Sequence, residues 1–273
     1  MKQRFALMAL LFFLACGVQQ AIGQTCDLTI TALNFGTYTS TLLNGTATGK
    51  VTCAGSWTIP FGTGNGAGAT ETVRVMTGTG GATLNYQLFT NATHTTNWGN
   101  TTGNEGSGTG NATVTIYGQV PAAQYPTPGT YTDTMTSATT SFAVSTTVQA
   151  TCTVSATSLA FGNYAGVLLN ATSTITATCT NTTPYKVGLN AGTATGATVT
   201  NRSMTGPSSS LLHYSLFSDS GHTTNWGNTV GTDTVSKTGS GVAQTLTVYG
   251  QAPAGQYVTP GSYADTITVT LTY

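Results

Sequence analysis

The chain has 273 residues, of which only 5% are Asp, Glu, Lys or Arg, and its formal net charge is +0. A soluble domain carries about 25% charged residues, so hydroxyls and amides must solvate this surface, and the sequence indeed holds 62 Thr and 34 Gly. No basic stripe exists to neutralise phosphates, which excludes a nucleic-acid partner, while a 39% hydrophobic share supports real cores rather than disorder.

Lys2 and Arg4 precede an apolar run from Phe5 to Ala15, and the small residues Ala21 and Gly23 flank Ile22. This pattern predicts a secretory signal over 1–23, cleaved after Gly23. The run is too short for a membrane span, and lipidation at Cys16 is the rival form of processing. Beyond the signal, Cys26 and Cys53 are separated by 27 residues, as are Cys152 and Cys179. Two equal spacings in an exported chain predict two disulfides, Cys26–Cys53 and Cys152–Cys179. Zinc is the alternative, but no second ligand stands at the short spacing that zinc motifs use.

The match between the two halves extends beyond the cysteines. Asn34-Phe35-Gly36-Thr37-Tyr38 recurs as Ala160-Phe161-Gly162-Asn163-Tyr164, and Leu42-Leu43-Asn44 as Leu168-Leu169-Asn170, at an offset of 126. Arg74 matches Arg202, Tyr86 matches Tyr214, and Asn97-Trp98-Gly99-Asn100 matches Asn225-Trp226-Gly227-Asn228 at 128. Tyr117-Gly118-Gln119 pairs with Tyr249-Gly250-Gln251, and Pro128-Gly129-x-Tyr131-x-Asp133 with Pro260-Gly261-x-Tyr263-x-Asp265, at 132. One domain has been duplicated, with insertions absorbed in loops. Short alternating runs such as Thr113 to Tyr117, bounded by Gly, Pro and Asn, predict an all-β chain of two tandem immunoglobulin-like sandwiches.

In the first copy Trp57, Ile59 and Phe61 alternate, set against Thr183, Tyr185 and Val187 in the second. Period two predicts a core strand. The sharper expectation is an apolar adhesive patch formed by these three residues beside the glycine loop Gly62 to Gly68. That loop is no phosphate cradle, since Ala69-Thr70-Glu71 supplies neither the Lys-Ser/Thr end nor a helix.

The two copies differ at their ends. After a turn near Ala138 to Thr140, Ser141 to Ala150 alternates again, with Phe142, Val144, Thr146 and Val148 on one face. The final segment places Tyr263, Asp265, Ile267, Val269, Leu271 and Tyr273 on one face and threonines on the other, the pattern of a half-buried strand. The second copy has no counterpart of Ser141–Ala150 after it. The expectation is two bodies with one spare strand, so that the first is completed within the chain and the second offers an open groove to a partner. The plainer alternative makes Ser141–Ala150 a linker. The expected organisation is signal 1–23, first body 24–138, linking strand 139–151 and second body 152–273.

The paired cysteines, Phe-Gly-x-Tyr, Trp-Gly-Asn, Tyr-Gly-Gln and Pro-Gly-x-Tyr-x-Asp together resemble the spore coat protein U domain, the subunit family of archaic chaperone–usher pili. The resemblance covers nearly the whole exported chain twice. It implies pilin-type bodies that lack their last strand. It implies three partners: a periplasmic chaperone, an outer-membrane usher and a neighbouring subunit that donates a strand. By that resemblance Phe142, Val144, Thr146 and Val148 form an internal donor strand, and the face from Tyr263 to Tyr273 borders the acceptor groove. The two-body arrangement resembles a tip subunit, exported through the periplasm to the cell surface for attachment and biofilm formation. A secreted coat or matrix protein with two closed domains is the alternative.

No catalytic, metal or cofactor site is expected. His94 and His222 hold matched turn positions, the acids are scattered, and no nucleophile stands with a base and an orienting acid.

Overall fold

Threonine alternating with apolar residues builds strands through most of the chain, because β-branched side chains suit a pleated surface whose successive positions face opposite ways. The computed structural model describes residues 26–273; the expected signal and Cys16 lie outside the described residues. Two compact units form. One runs through Gln124 and includes Thr130–Thr147; the other comprises Tyr125–Gly129 and Val148–Tyr273. Both are built of β-strands, and the 3-10 turns at Thr79–Gly81 and Pro207–Ser209 are short.

The first unit contains β1 (Asp27–Ile30), β2 (Leu33–Tyr38), β3 (Leu43–Thr52), β4 (Ser56–Ile59), β5 (Arg74–Thr77), β6 (Thr83–Phe89), β7 (Gly106–Thr109), β8 (Ala112–Val120), β9 (Gly129–Thr136) and β10 (Ser141–Val148). Eight of them make one sheet in the order β1-β3-β8-β6-β5-β9-β10-β2, and β4 pairs with β7. The sheet curls so that β2 packs back over β3 and β8, with Leu33, Phe35, Tyr86 and Ile116 buried. That approach explains one motif: a Cβ on Gly118 would stand 2.7 Å from the Leu33 and Phe35 side chains. Glycine in Tyr117-Gly118-Gln119 makes room for the aromatic ring of the Phe-Gly-x-Tyr motif.

Trp57, Ile59 and Phe61 are 5%, 2% and 0% exposed. The Trp57 indole donates to the Gly110 carbonyl at 2.9 Å, and the Ile59 carbonyl accepts the Trp98 indole at 2.7 Å. Phe61 stacks on Trp98 and Phe142, with ring centroids 4.9 and 5.3 Å away. The expected adhesive patch is therefore corrected: period two placed these side chains in the core. Their register also changes. Because the Trp226 indole donates to the Val187 carbonyl at 2.8 Å, Ile59 corresponds to Val187, Trp57 to Tyr185 and Phe61 to Leu189.

The second unit contains β11 (Cys152–Ala156), β12 (Leu169–Cys179), β13 (Pro184–Leu189), β14 (Arg202–Thr205), β15 (Leu211–Phe217), β16 (Val235–Thr238), β17 (Ala243–Ala252) and β18 (Val269–Thr272). They make sheets in the orders β11-β12-β17-β15-β14 and β16-β13-β18. Disulfides join Cys26 to Cys53 and Cys152 to Cys179. The second bridges directly opposed residues of β11 and β12.

Candidate functional site

Among the described residues the first unit has ten strands and the second eight, and β10 has no counterpart in the second. In the first, β10 returns from β9 through a turn closed by the Ser137 amide donating to Thr140 at 2.8 Å, and it lies between β9 and β2. Phe142, Val144, Thr146 and Val148 all face inward and are at most 5% exposed. The Thr146 hydroxyl, isosteric with a valine methyl, is satisfied by the Gly36 carbonyl at 2.9 Å. With β10 in place the flanking side chains Phe35, Tyr131 and Met135 are buried as well.

Among the described residues of the second unit, no strand holds that place. Leu159 to Tyr164 matches β2 in sequence but forms no ladder. The segment matching β9 keeps a single bridge, Ala264 to Thr205. The chain then crosses to β13, where β18 sets Leu271 opposite Val187. A groove of about 450 Å³ opens between these segments, lined by Leu159, Phe161, Ile175, Met204, Ile267 and Val269 among others. Residues buried in the first unit have half-buried counterparts here: Phe161 for Phe35, Tyr263 for Tyr131, Ile267 for Met135, Met204 for Met76.

Of the six residues expected to border the groove, Tyr263, Asp265, Ile267 and Val269 line it. Leu271 and Tyr273 do not. Pairing with β13 carries Leu271 away from the opening, and Tyr273 is 60% exposed. The expected continuous strand from Tyr263 is accordingly short, because its first half has no ladder partner on the groove side.

The groove is held in shape from below. Phe161 packs edge-on against Tyr214 with centroids 5.8 Å apart. The Tyr164 hydroxyl donates to the Pro253 carbonyl at 2.6 Å and accepts the Gln256 amide at 3.0 Å. Tyr38 makes the equivalent bond to Pro121 at 2.6 Å, so the motif tyrosine anchors its segment whether or not a strand forms.

Asp265 accepts the Tyr214 hydroxyl at 2.7 Å, the Thr193 amide at 2.8 Å and the Thr266 amide at 2.7 Å. Burial opposes its ionisation, yet the bonds from Thr193, Tyr214 and Thr266 outweigh burial and hold the carboxyl below its ordinary range. Burial and the adjoining Asp265 push the Tyr214 phenol far up, so it stays a neutral donor. Behind them Arg202 is fully buried and donates to the carbonyls of Leu189, Asn190, Val199 and Trp226. Burial lowers its pKa, while the nearby Tyr214, Asp265 and Asp233 act the other way. Arg74, Tyr86 and Asp133 build the same assembly in the first unit. The repeat flagged each of these residues singly; their assembly joins positions up to 72 residues apart, and local sequence carries no sign of it.

Ser203 lies 2.9 Å from Nδ1 of His213, but at 4% exposure it is closed to a substrate. Among the described residues no group of three His, Cys, Asp or Glu is placed to hold a metal. What the groove offers is an apolar floor beside backbone without a ladder partner, and an extended peptide fits that combination.

Fold and groove together define a pilin-type protein of two bodies, the first with β10 in its sheet and the second open. The Spore Coat Protein U domain matches residues 13–137 and 138–270, and the chain belongs to that family. It is 31% identical over 128 residues to Protein U of Myxococcus xanthus, spanning 42% of this chain and 71% of that protein. In fold it is similar to a chain in the crystal structure of the CsuC–CsuE chaperone–tip adhesion subunit pre-assembly complex from the archaic chaperone–usher Csu pili of Acinetobacter baumannii. That likeness has a TM-score of 0.54 and 16% identity, covering 91% of this chain and all of the other. No helix among the described residues is long and apolar enough to cross a membrane.

Proposed function

We propose that this chain is an exported structural and adhesive subunit of a chaperone–usher pilus, carried at the tip, whose second body accepts a strand from a neighbouring subunit. The observation that carries this reading is the groove of the second unit, which lies where β10 lies in the first. Filling it would cover Phe161, Met204, Ile267 and Val269, and each fully buried side chain of this kind contributes about 1.5–3 kcal/mol. Before assembly a periplasmic chaperone would cover the same apolar floor, and an outer-membrane usher would mediate the exchange. Once assembled, the subunit serves surface attachment and biofilm formation. Half-burial of Ile267 and Val269 weighs against the rival reading, a coat protein built of two closed domains.

A peptide with the sequence of residues 141–150, added to the full chain, tests the reading. It should raise the unfolding temperature of the second unit, and Ile267→Asp should remove the gain. A chain that stays monomeric and ignores the peptide at millimolar concentration, with or without Ile267→Asp, would overturn it.

A further inference from the structure

The path of β10 gives the groove a direction. In the first unit β8 ends at Val120 opposite Leu43, and the Tyr38 hydroxyl reaches Pro121. Tyr38 to Leu43 and Val120 to Gln124 therefore form one pole. β6 starts there, where the Asn85 amide donates to Gln124, and β5 returns to it antiparallel. β9 pairs antiparallel with β5 through Thr77 and Thr132, and so leads away from the pole. After its hairpin turn β10 runs back, alongside β2, and leaves the sheet at this pole.

The matching pole of the second unit gathers four exposed apolar side chains: Val167 (59%), Leu168 (51%), Leu211 (37%) and Tyr257 (100%). The loops that carry them are tied together. The Gly255 amide donates to Gly166 at 2.9 Å, and the Thr259 amide donates to the Ser210 hydroxyl at 3.3 Å. Ala165, Gly166, Tyr257 and Val258 share a shallow recess. The corresponding residues of the first sequence copy are Thr41, Leu42, Thr83 and Tyr125, so two threonines are replaced by valine and leucine. No charged residue occurs in 164–170, 206–212 or 253–262. Single exposed apolar residues are ordinary, whereas several apolar side chains on tied neighbouring loops, rimmed by polar residues, mark a contact surface.

We infer that this pole docks the folded body of the subunit whose extension fills the groove, and that the partner presents an uncharged, apolar face to it. The inference rests on the strand-acceptor reading above. A donor strand running beside Leu159 to Tyr164 in the sense that β10 runs beside β2 emerges at the Tyr257 pole. Its own body follows closely, as Cys152 follows Val148 within this chain. The groove therefore selects the strand, and the pole seats what comes after it.

Photocrosslinking in pili isolated from the source strain tests this, with benzoylphenylalanine placed singly in the full chain at Thr266 in the groove, at Tyr257, or at the exposed control Val230. The expected result is one subunit captured from both sites, through its extension at Thr266 and through its disulfide-bearing body at Tyr257. Capture at Thr266 without capture at Tyr257 above the Val230 control overturns the docking surface and leaves the groove reading intact. Capture of a different protein at Tyr257 overturns it too. Capture at neither site removes the strand-acceptor reading and this inference with it. The paired variant Leu168→Ser, Tyr257→Ser should weaken the subunit–subunit affinity about tenfold while capture at Thr266 persists; unchanged affinity would refute the pole.

Discussion

The Tyr214 hydroxyl lies 2.7 Å from Oδ2 of Asp265, and Tyr86 makes the same 2.7 Å bond to Asp133. Asp133 is 5% exposed behind β10, whereas Asp265 sits half-buried on the open groove. One interaction thus occurs in a closed and an open setting. A hydrogen bond to a charged group contributes about 1.5–3 kcal/mol. Tyr86→Phe should cost the upper part of that range and Tyr214→Phe the lower part, read as the unfolding temperature of each unit by calorimetry.

Acid should loosen the second unit. Asp265 is held below its ordinary carboxylate pKa of 3.8, so its bonds stabilise the folded state fully above that value. The contribution is lost as pH falls through the lower folded value. The urea midpoint of the second unit should hold steady near neutrality and drop on acidification below about pH 4. Asp265→Asn should lower the neutral midpoint and flatten the acid drop.

Arg202 serves four carbonyls from one rigid fork. Lysine has three donors around a point charge and cannot reproduce that geometry. Each buried acceptor left without a donor costs about 1–3 kcal/mol. Arg202→Lys should therefore unfold the second unit well before the first on urea titration, and Arg74→Lys should reverse the order.

Trp57→Ala should destabilise the first unit by about 3–5 kcal/mol, the cost of emptying a large buried site. A folded, assembled pilus that merely fails to adhere would contradict the burial of this residue.

Reduction should separate the units as well. Each disulfide closes a loop that stabilises by about 3–4 kcal/mol in the chain-entropy model. The second unit, with its sheet open, has less stability in reserve. Thermal unfolding followed by circular dichroism with and without reductant should show it melting first.

The duplication, the cysteine pairing and the strand at Ser141 were legible because each depends on local pattern or matched spacing. The register of Trp57 was not. Two residues are inserted between Cys179 and β13 relative to the first copy, and an even insertion leaves a period-two alternation unchanged. Side-chain parity therefore gave no warning that Ile59 corresponds to Val187. Leu159 to Tyr164 carries the residues of β2 yet forms no strand, since a ladder needs a neighbour that the segment itself does not encode. The cluster around Arg202 is silent in the sequence for a related reason: its bonds run to backbone carbonyls, which no residue type announces.

The bond between Cys152 and Cys179 has a mechanical meaning. Tension drawn along the chain out of β10 enters the second unit's sheet through β11, whose first residue is Cys152. Without the bridge, that pull would fall on the ladder between the edge strand β11 and its single neighbour β12. The covalent clasp hands the load directly to Cys179 at the end of β12, which pairs with β17 over ten residues, so two ladders bear it together.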